Sequence, residues 1–482
     1  MSYIYLSIVF FWAFHILQRV FHSLYIWQLK EYRIDRFREE MTRNKKIIFP
    51  NIVLVSFLFL AVAMFAPISQ WFLNALFVLY FLVGLKSIYN LMKRKWKFPV
   101  LTKKMLLLIS LVFVVSGFFF YIFSNRFPET IIIFEILLPV LLFFVVLLLQ
   151  IPTFFAKGYI FKIARKKRES FKDLIVIGIT GSYGKSSTKE FLATILSGKY
   201  NVLKTEGNVN TEMGIANTVL SKLTKDHQIF ICEMGAYKKR EIEKSCSIVK
   251  PKIGILTGIN QQHLALFGSQ ENIVKAKYEL IESLPSDGIA FFNDNNEHCR
   301  KLYEKTNIKK ELYGKEASFP GEENIWGAVA VAKYLGMTEE EISKGFEKIK
   351  DRIGGIKFKE GINGLTVLDA TYSANPDGVL AHLEHIKKLP GKKIMVMSCL
   401  IELGKASSGV HERIGEKTKE VCDLLIVTSK DFYNDIKKGN PEAIYINNAN
   451  EILKKINEVS SSGDIVLLES RVPEKLRKML IK

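Results

Sequence analysis

Five long apolar runs alternate with polar segments over the first third of the chain. They lie near residues 3–27, 47–66, 71–91, 105–124 and 130–152. Each run has about the ~20 residues that a helix needs to cross a bilayer, so the pattern predicts a membrane domain over residues 1–160 with about five transmembrane helices. Gln18, Arg19 and His22 interrupt the first run. A charge inside a span is a functional candidate, but we interpret Arg19 and His22 as lying near an interface, with their polar ends reaching toward water.

Basic residues are distributed unequally between the segments that join these runs. Residues 30–46 and 86–104 are rich in Lys and Arg, whereas residues 67–70 and 125–129 contain almost none. The positive-inside rule therefore predicts a multi-pass protein of the cell membrane, with the N-terminus outside and everything after Lys157 in the cytoplasm. A cleaved signal peptide is the alternative for the first run, but no basic segment precedes that run, so we expect a retained helix.

From about residue 171 the pattern changes to short apolar strands that alternate with helices. A continuously apolar strand at 174–179 leads into a glycine-containing loop at 180–188 and then a helical pattern at 189–196. We therefore expect an α-helical transmembrane block followed by α/β domains, with a P-loop ATPase domain over 171–355 and a doubly wound, Rossmann-like domain over 360–482. Further strands are predicted at 229–232, 253–256, 366–368, 393–397, 424–427 and 464–468, and further helices at 271–284, 378–386 and 410–421.

Composition separates the same two regions. The 482 residues carry a formal net charge of +20, and 49% of them are hydrophobic. Nucleic-acid binding would account for the charge, but basic clusters such as 93–95 and 165–168 lie beside apolar runs, so membrane topology explains them and no nucleic-acid partner is expected. The five cysteines are widely spaced, lie after residue 171 and form no CxxC motif, which indicates a reducing compartment.

The loop over residues 180–188, TGSYGKSST, carries the candidate nucleotide chemistry. Its glycines allow backbone N–H groups to surround a phosphate chain, Lys185 can reach the β- and γ-phosphate oxygens, and Ser186 can bind Mg²⁺ at the positive end of the following helix. Ile179 stands at the first glycine position of the full GxxxxGK[ST] motif. The sequence predicts that ATP is bound by Gly181, Ser182, Tyr183, Gly184, Lys185, Ser186 and Ser187.

A set of further motifs follows this loop. They are TEGNVN at 205–210, EMGA at 233–236, QHL at 262–264 with FGS at 267–269, KAKYE at 275–279, NDN at 293–295, DATYSANPD at 369–377, ELG at 402–404, His411 and Ser470-Arg471. In this order, the set resembles the UDP-N-acetylmuramoyl-tripeptide:D-alanyl-D-alanine ligase branch of the Mur ligase family over about residues 171–482. The resemblance implies a Mur ligase central ATPase domain, a Rossmann-like C-terminal domain, and ATP-dependent joining of a carboxylate to an amine through an acyl phosphate in peptidoglycan-related synthesis.

The resemblance also implies roles that the residues alone do not fix. By themselves a Glu after a strand, a lone His in a loop and a Lys on a helix are more often solvated or structural residues. By resemblance, Ser186, Glu233, His263 and Lys277 are expected to bind Mg²⁺, and Lys277 is expected to be carbamylated. Lys185, Lys277 and His263 are the expected catalytic residues. Asn293 and Asn295 match the adenine side of the family's site, and Asn208, Asn210, Asp369, Tyr372 and Asn375 match its substrate side.

Four positions depart from the family pattern. Glu323-Asn324 replaces His-Asn, Gly355-Ile356 replaces Gly-Arg, Ala370 replaces the second Asp of a pair, and Ser398-Cys399 replaces Gly-Asp. The lost Arg matters most, because an Arg is suited to holding a transferring phosphoryl group and Ile356 is not. Lys357 and Arg352 are the candidates to replace it.

The membrane block stands where soluble Mur ligases carry a nucleotide-sugar-binding domain. We therefore expect a lipid-linked, nucleotide-linked or polymeric carboxylate substrate, an amino acid or short peptide as the amine, and membrane lipid and envelope-synthesis proteins as partners. Three alternatives remain open. They are a polymer-forming ligase resembling poly-γ-glutamate synthases, a non-catalytic Mur-like scaffold, and an ATP-driven transporter, for which the sequence contains no signature.

Overall fold

A computed structural model describes residues 2–43, 51–65, 70–123, 126–317, 321–349, 357–371 and 375–481. The chain divides into two units, Met1–Lys157 and Gly158–Lys482. The first unit is helical, and the division falls inside its last helix. The helices are α1 (Ser2–Leu29), α2 (Ile34–Arg43), α3 (Asn51–Phe65), α4 (Gln70–Met92), α5 (Lys103–Ile122) and α6 (Glu129–Glu169).

Four helices of the described residues are long and apolar enough to cross a membrane. They are α1, over its residues Tyr3–Leu29, and the whole of α4, α5 and α6. The fifth predicted span, 47–66, contains α3, which has 15 residues, and the ends of that span lie outside the described residues. α6 has 41 residues and so extends well beyond the predicted 130–152. Length and composition thus support at least four of the five predicted spans.

The core of the helical unit includes a buried carboxylate, Glu135, that forms an ion pair with Arg19. Its apolar residues include Trp12, Leu76, Leu108 and Leu138. Our interpretation of Arg19 as an interfacial residue is wrong in this structure, because the Arg19 guanidinium pairs with the buried Glu135 carboxylate of α6. Pairing removes the cost of an isolated charge among apolar helices, which explains why Arg19 turns inward.

The first α/β domain of the second unit is built on a six-stranded parallel sheet. Its strand order is β2-β3-β1-β4-β5-β6, and every neighbouring pair is parallel. Successive side chains of a strand face opposite sides, so Ile177 and Ile255 pack under α7 and α13, whereas Val176 and Phe230 pack under α8, α9 and α11. The elements are β1 (Ile175–Thr180), α7 (Lys185–Leu196), β2 (Val202–Lys204), α8 (Glu212–Lys222), β3 (Ile229–Glu233), α9 (Glu241–Val249), β4 (Ile253–Leu256), α10 (Leu264–Phe267), α11 (Gln270–Glu282), β5 (Ile289–Asn293), α12 (Glu297–Lys305), β6 (Lys309–Tyr313), α13 (Glu323–Tyr334) and α14 (Glu339–Glu347).

The C-terminal domain carries a second six-stranded sheet. Its order is β11-β10-β9-β12-β8-β7, with only β7 antiparallel to its neighbour. One face packs on α15 and α16 and the other on α18 and α19, so helices cover both faces of the sheet. The elements are β7 (Lys357–Glu360), β8 (Thr366–Ala370), α15 (Pro376–Lys387), β9 (Lys393–Met397), α16 (Ser407–Val421), β10 (Leu424–Val427), α17 (Tyr433–Gly439), β11 (Ile444–Tyr445), α18 (Ala449–Val459), β12 (Ile465–Glu469) and α19 (Glu474–Leu480).

Candidate active site

The predicted phosphate loop, residues 180–188, joins β1 to α7 at the carboxyl edge of the parallel sheet, and we call it the phosphate loop below. A Cβ added to Gly181 would lie 2.2 Å from Thr257 Oγ1, and one added to Gly184 would lie 2.2 Å from Asn324 Oδ1, so neither position has room for a side chain. Among the residues that the structure describes, no side chain caps the N-terminus of α7. Its first N–H groups therefore remain available to an anion, as a phosphate-binding loop requires.

Lys185 begins α7 and folds back over the loop. Its Nζ donates to the carbonyl oxygens of Gly181 (2.8 Å) and Ser182 (3.2 Å). Burial lowers the pKa of Lys185, and the nearby Glu233 carboxylate opposes that shift. An ammonium group held by carbonyls above a glycine loop is placed to meet phosphate oxygens.

Glu233 is the last residue of β3, and its carboxylate accepts hydrogen bonds from side chains of two segments, α7 and the loop before α8. Ser186 Oγ donates to Glu233 Oε2 (2.9 Å), and Lys189 Nζ donates to the same oxygen (3.0 Å). Asn210 Nδ2 donates to Oε1 (3.1 Å). Lys189 is itself buried and also donates to the Gly207 carbonyl (2.5 Å). The predicted metal residues Ser186 and Glu233 are therefore in direct contact.

Lys277 lies on α11 in a nearly closed environment. The residue is 2% exposed, and its Nζ has a long hydrogen bond to the Ala236 carbonyl (3.5 Å). Burial lowers the pKa of Lys277 to about 7, the charge of Lys185 acts in the same direction, and Glu241 and Glu279 oppose it. A large share of this amine is therefore neutral near neutral pH.

His263 lies in the loop after β4 and contacts the C-terminal domain. Its φ of 64° is in the left-handed region. The Nδ1 atom is hydrogen-bonded to Glu402, in the loop after β9, and the ring packs edge-on against Tyr237 with centroids 4.7 Å apart. Burial lowers the pKa of His263, Glu402 opposes the shift, and Lys277 and Lys185 add to it. His263 therefore lies within electrostatic reach of both lysines.

A second link joins the phosphate loop to the C-terminal domain. Asn260 N donates to Ser182 Oγ (3.2 Å), and Asn260 Nδ2 donates to Asn375 Oδ1 (3.1 Å) and Asp377 Oδ2 (2.8 Å). Asn375 also caps α15 by accepting from Gly378 N (3.0 Å). The first residues of α15 are thereby held against the loop that is expected to bind phosphate.

The predicted adenine-side residues form a turn at the end of β5. Asn293 Nδ2 donates to the Thr257 carbonyl (2.6 Å), and Asn293 Oδ1 accepts from Asn295 N (2.9 Å). Asn295 Nδ2 donates to the Gly314 carbonyl (2.6 Å). Both amides thus shape the backbone beside the phosphate loop, and contact with an adenine stays a prediction.

The predicted substrate-side residues are more dispersed. Asp369 is buried, and its Oδ2 accepts from Lys359 Nζ (2.7 Å). Burial alone would raise the pKa of Asp369, but hydrogen bonds from Lys359 and Thr371 outweigh it and the pKa is lowered. Asn208 is exposed. Tyr372 and Ile356 lie outside the described residues, as does Arg352.

The contacts described above indicate which residues could bind a divalent cation. Among the described residues, no three His, Cys, Asp or Glu side chains gather closely enough to form a metal cluster. The oxygen donors in contact are Ser186 and Glu233, and a hard cation such as Mg²⁺ takes a small number of protein oxygens plus phosphate and water. The residues therefore fit Mg²⁺ brought with a nucleotide rather than a metal caged by protein alone.

Two protein-family models match the chain. The Mur ligase middle domain matches residues 179–353, and the model described as "Mur ligase, glutamate ligase domain" matches residues 356–471. The chain belongs to the Mur ligase family. The resemblance found in the motifs is confirmed, and the extra N-terminal region of this Mur ligase is the apolar helical unit.

Curated relatives and solved structures agree with this assignment. The UDP-N-acetylmuramoyl-tripeptide–D-alanyl-D-alanine ligases of Synechocystis sp. and Escherichia coli are 30% and 31% identical over 283 and 280 residues, or 53% and 51% of this chain. The chain spans 62% of the length of each. MurF ligase from Thermotoga maritima, solved in complex with ADP, matches with a TM-score of 0.60 at 27% identity. The match covers 67% of this chain and 83% of the Thermotoga maritima chain. MurF from Acinetobacter baumannii has a TM-score of 0.61 at 26% identity, over 67% and 80% of the two chains.

Sequence reasoning missed two residues of this candidate site, Lys189 and Asn260. Lys189 is four residues after Lys185 on α7, so helical spacing places both on one face and was a usable signal. Asn260 contacts Ser182 from a distant segment, and nothing local in the sequence indicates that contact. Asn324 was recognised as part of a family pair, but its hydrogen bond with Thr188 was not foreseen. Glu402 was recognised as part of a motif, but its contact with His263 was not foreseen.

Proposed function

We propose that the protein is an ATP-dependent carboxylate–amine ligase that works at a membrane and forms an amide through an acyl phosphate. The observation that carries the proposal is the Ser186–Glu233 contact beside an uncapped phosphate loop, with Lys185 held over that loop. These groups occur together in an active site for phosphoryl transfer. The named activity of the curated relatives, a peptide-forming ligase, supports the same reaction class.

In the proposed reaction a carboxylate oxygen attacks the γ-phosphorus of ATP, and the bond to the bridging oxygen breaks to release ADP. The N–H groups of α7 and the Lys185 ammonium bind the phosphates and stabilise the charge that develops on them. Mg²⁺, which Ser186, Glu233 and His263 would hold together with carbamylated Lys277, supplies further charge neutralisation. A neutral amine then attacks the acyl carbon, phosphate leaves with its oxygen, and the amine loses a proton.

The low pKa of Lys277 supports its carbamylation. The neutral amine adds CO₂ and releases one proton, which gives an anionic oxygen ligand at a buried position. Burial and the charge of Lys185 favour the neutral form, and the product would reduce the repulsion between the two side chains. We propose that Lys277 acts in this modified form.

The substrates and the location follow from the same proposal. The four apolar helices, with the predicted span at 47–66 as a fifth crossing, are the basis for a multi-pass protein with its N-terminus outside and its ligase domains in the cytoplasm, because an odd number of crossings puts the two on opposite sides. The carboxylate is lipid-linked, nucleotide-linked or polymeric, and the amine is an amino acid or short peptide. The relatives' names make D-alanyl-D-alanine the first amine to test, in peptidoglycan-related synthesis.

The test is ADP release by the full-length protein in detergent with Mg²⁺, membrane lipid extract and added amines. We expect release to depend on the amine and to fall about 10²–10³-fold in Lys185→Ala, because a charge-stabilising contact to the phosphates is lost. Lys277→Ala is expected to lose activity as well. Lys275→Ala removes an exposed lysine from the same helix and should match the wild type. Silence of the wild type while ATP still binds would favour the scaffold alternative, and amine-independent release would contradict the ligase proposal.

A further inference from the structure

The contact between His263 and Glu402 joins the two α/β domains at the candidate metal site. His263 belongs to the loop after β4 of the middle domain, and Glu402 to the loop after β9 of the C-terminal domain. The loops also meet through their backbones, since Ala265 N donates to the Glu402 carbonyl (3.1 Å). A Cβ added to Gly404 would lie 3.1 Å from Ala265 Cα. The contact is therefore part of a packed junction rather than an isolated pair of surface side chains.

The geometry of this pair fixes which nitrogen of the imidazole is available. Glu402 Oε2 accepts a hydrogen bond from His263 Nδ1, so the neutral imidazole carries its proton at Nδ1 and its lone pair at Nε2. Tyr237 packs edge-on against the ring and restricts its rotation. The side chains of His263 and Glu402 are only 20% and 15% exposed, so water competes weakly for the hydrogen bond. A histidine held in this way presents Nε2 in a fixed direction, as metal-binding histidines that are oriented by a carboxylate do.

We infer that Glu402 is a positioning residue for the metal site, supplied by the C-terminal domain, which orients His263 so that Nε2 can bind the divalent cation. The inference rests on the proposed function for the role of His263. It adds that the metal site of the middle domain is complete only when the C-terminal domain is docked. Metal affinity and domain docking then favour each other, because a coupling between two binding events is reciprocal.

The test is metal binding rather than turnover. Mn²⁺ serves as the probe ion, and electron paramagnetic resonance measures its dissociation constant for the full-length protein with ADP. We expect Glu402→Ala to raise this constant about 10–100-fold, as loss of an orienting partner does, and Glu402→Gln to raise it less. Glu416→Gln, an exposed carboxylate change on α16, is the matched control and should leave it unchanged. Thermal unfolding of each variant reports whether the fold is kept, and Glu402→Gln tests the idea if Glu402→Ala unfolds.

A double variant separates positioning from a general structural effect. If Glu402 acts through His263, then His263→Ala and the double variant His263→Ala/Glu402→Ala should have the same dissociation constant. Additive effects would overturn the inference, and so would a wild-type constant in Glu402→Ala or in His263→Ala. Failure of the ligase proposal itself would appear elsewhere, as ADP release that ignores the amine, so the two failures are distinguishable.

Discussion

Glu135 in the helical unit and Glu233 in the middle domain are both buried carboxylates that face a cation, but their surroundings differ. Both oxygens of Glu233 accept hydrogen bonds, from Ser186 and Lys189 at one and from Asn210 at the other. Glu135 shares Oε1 between Arg19 and His15, the latter at 3.4 Å. Its Oε2 has no hydrogen-bond partner in the described part of the chain.

The difference indicates that Glu233 can exchange one of its partners for a cation, whereas Glu135 is fixed in its ion pair with Arg19. The partners of Glu233 are a hydroxyl, an amide and an ammonium group at the carboxyl edge of a sheet, where ligands of α/β domains bind. A cation can replace one of these partners without leaving the carboxylate unpaired. The partners of Glu135 come from a helix packed within an apolar core, where losing either charge leaves the other uncompensated. We interpret Glu233 as a residue that takes part in the reaction and the Arg19–Glu135 pair as one that stabilises the fold.

The largest expected effect is on catalysis at Glu233. Glu233→Ala should lower amine-dependent ADP release about 10³-fold, because it removes the proposed metal ligand and the carboxylate that pairs with the buried Lys189. Glu233→Gln keeps the side-chain volume and one oxygen that can accept from Lys189, so the activity lost in this variant reports on the loss of the charge and of one acceptor oxygen. A Gln variant with wild-type turnover would show that Glu233 is structural, like Glu135, and would remove the distinction.

The next effect is on stability at Glu135. Glu135→Ala should destabilise the helical unit by about 3–5 kcal/mol, since Arg19 becomes a buried, unpaired cation. Replacing both residues by Leu should cost much less, because no charge then remains without a partner. Unfolding in detergent micelles measures both variants. If a folded Glu135 variant lost ADP release, the carboxylate would have a role in function and our structural interpretation would fail.

Local patterns predicted the framework of the ligase domains well. The strands Ile253–Leu256, Lys393–Met397 and Leu424–Val427 have the predicted bounds. These are continuous apolar runs between polar turns, and buried strands of a parallel sheet require that pattern. Glu233 was expected just after its strand and is the last residue of it. A carboxylate at a strand end was therefore located to within one residue.

The contacts that complete the site were beyond the reach of local patterns. Glu402 meets His263 across 139 residues, and Arg19 meets Glu135 across 116. Hydrophobic periodicity records which face of an element is buried, but it does not record which distant element covers that face. Arg19 was misjudged for this reason, because its partner Glu135 lies in a different apolar run and nothing in either run indicates that the two residues meet.

The smallest expected effect is the graded dependence of activity on pH and CO₂ at Lys277. It sharpens the contrast with Lys189, a buried lysine that is paired with a carboxylate. Because the pKa of Lys277 is lowered to about 7, the amine is mostly neutral above that pH and mostly an ammonium below it. The neutral fraction falls about tenfold for each pH unit below 7, and the carbamate falls with it. Protein equilibrated without CO₂ should therefore lose ADP release, and more so at lower pH.

Added bicarbonate should restore this activity and produce a carbamate signal in ¹³C NMR when the label is ¹³C. Lys275→Ala should behave like the wild type, since that lysine is exposed. The residual activity of Lys277→Ala should not respond to CO₂ at any pH. Turnover of the wild type that is insensitive to CO₂ would mean that Lys277 acts as an amine, and Lys277 would then resemble Lys189 rather than a metal ligand.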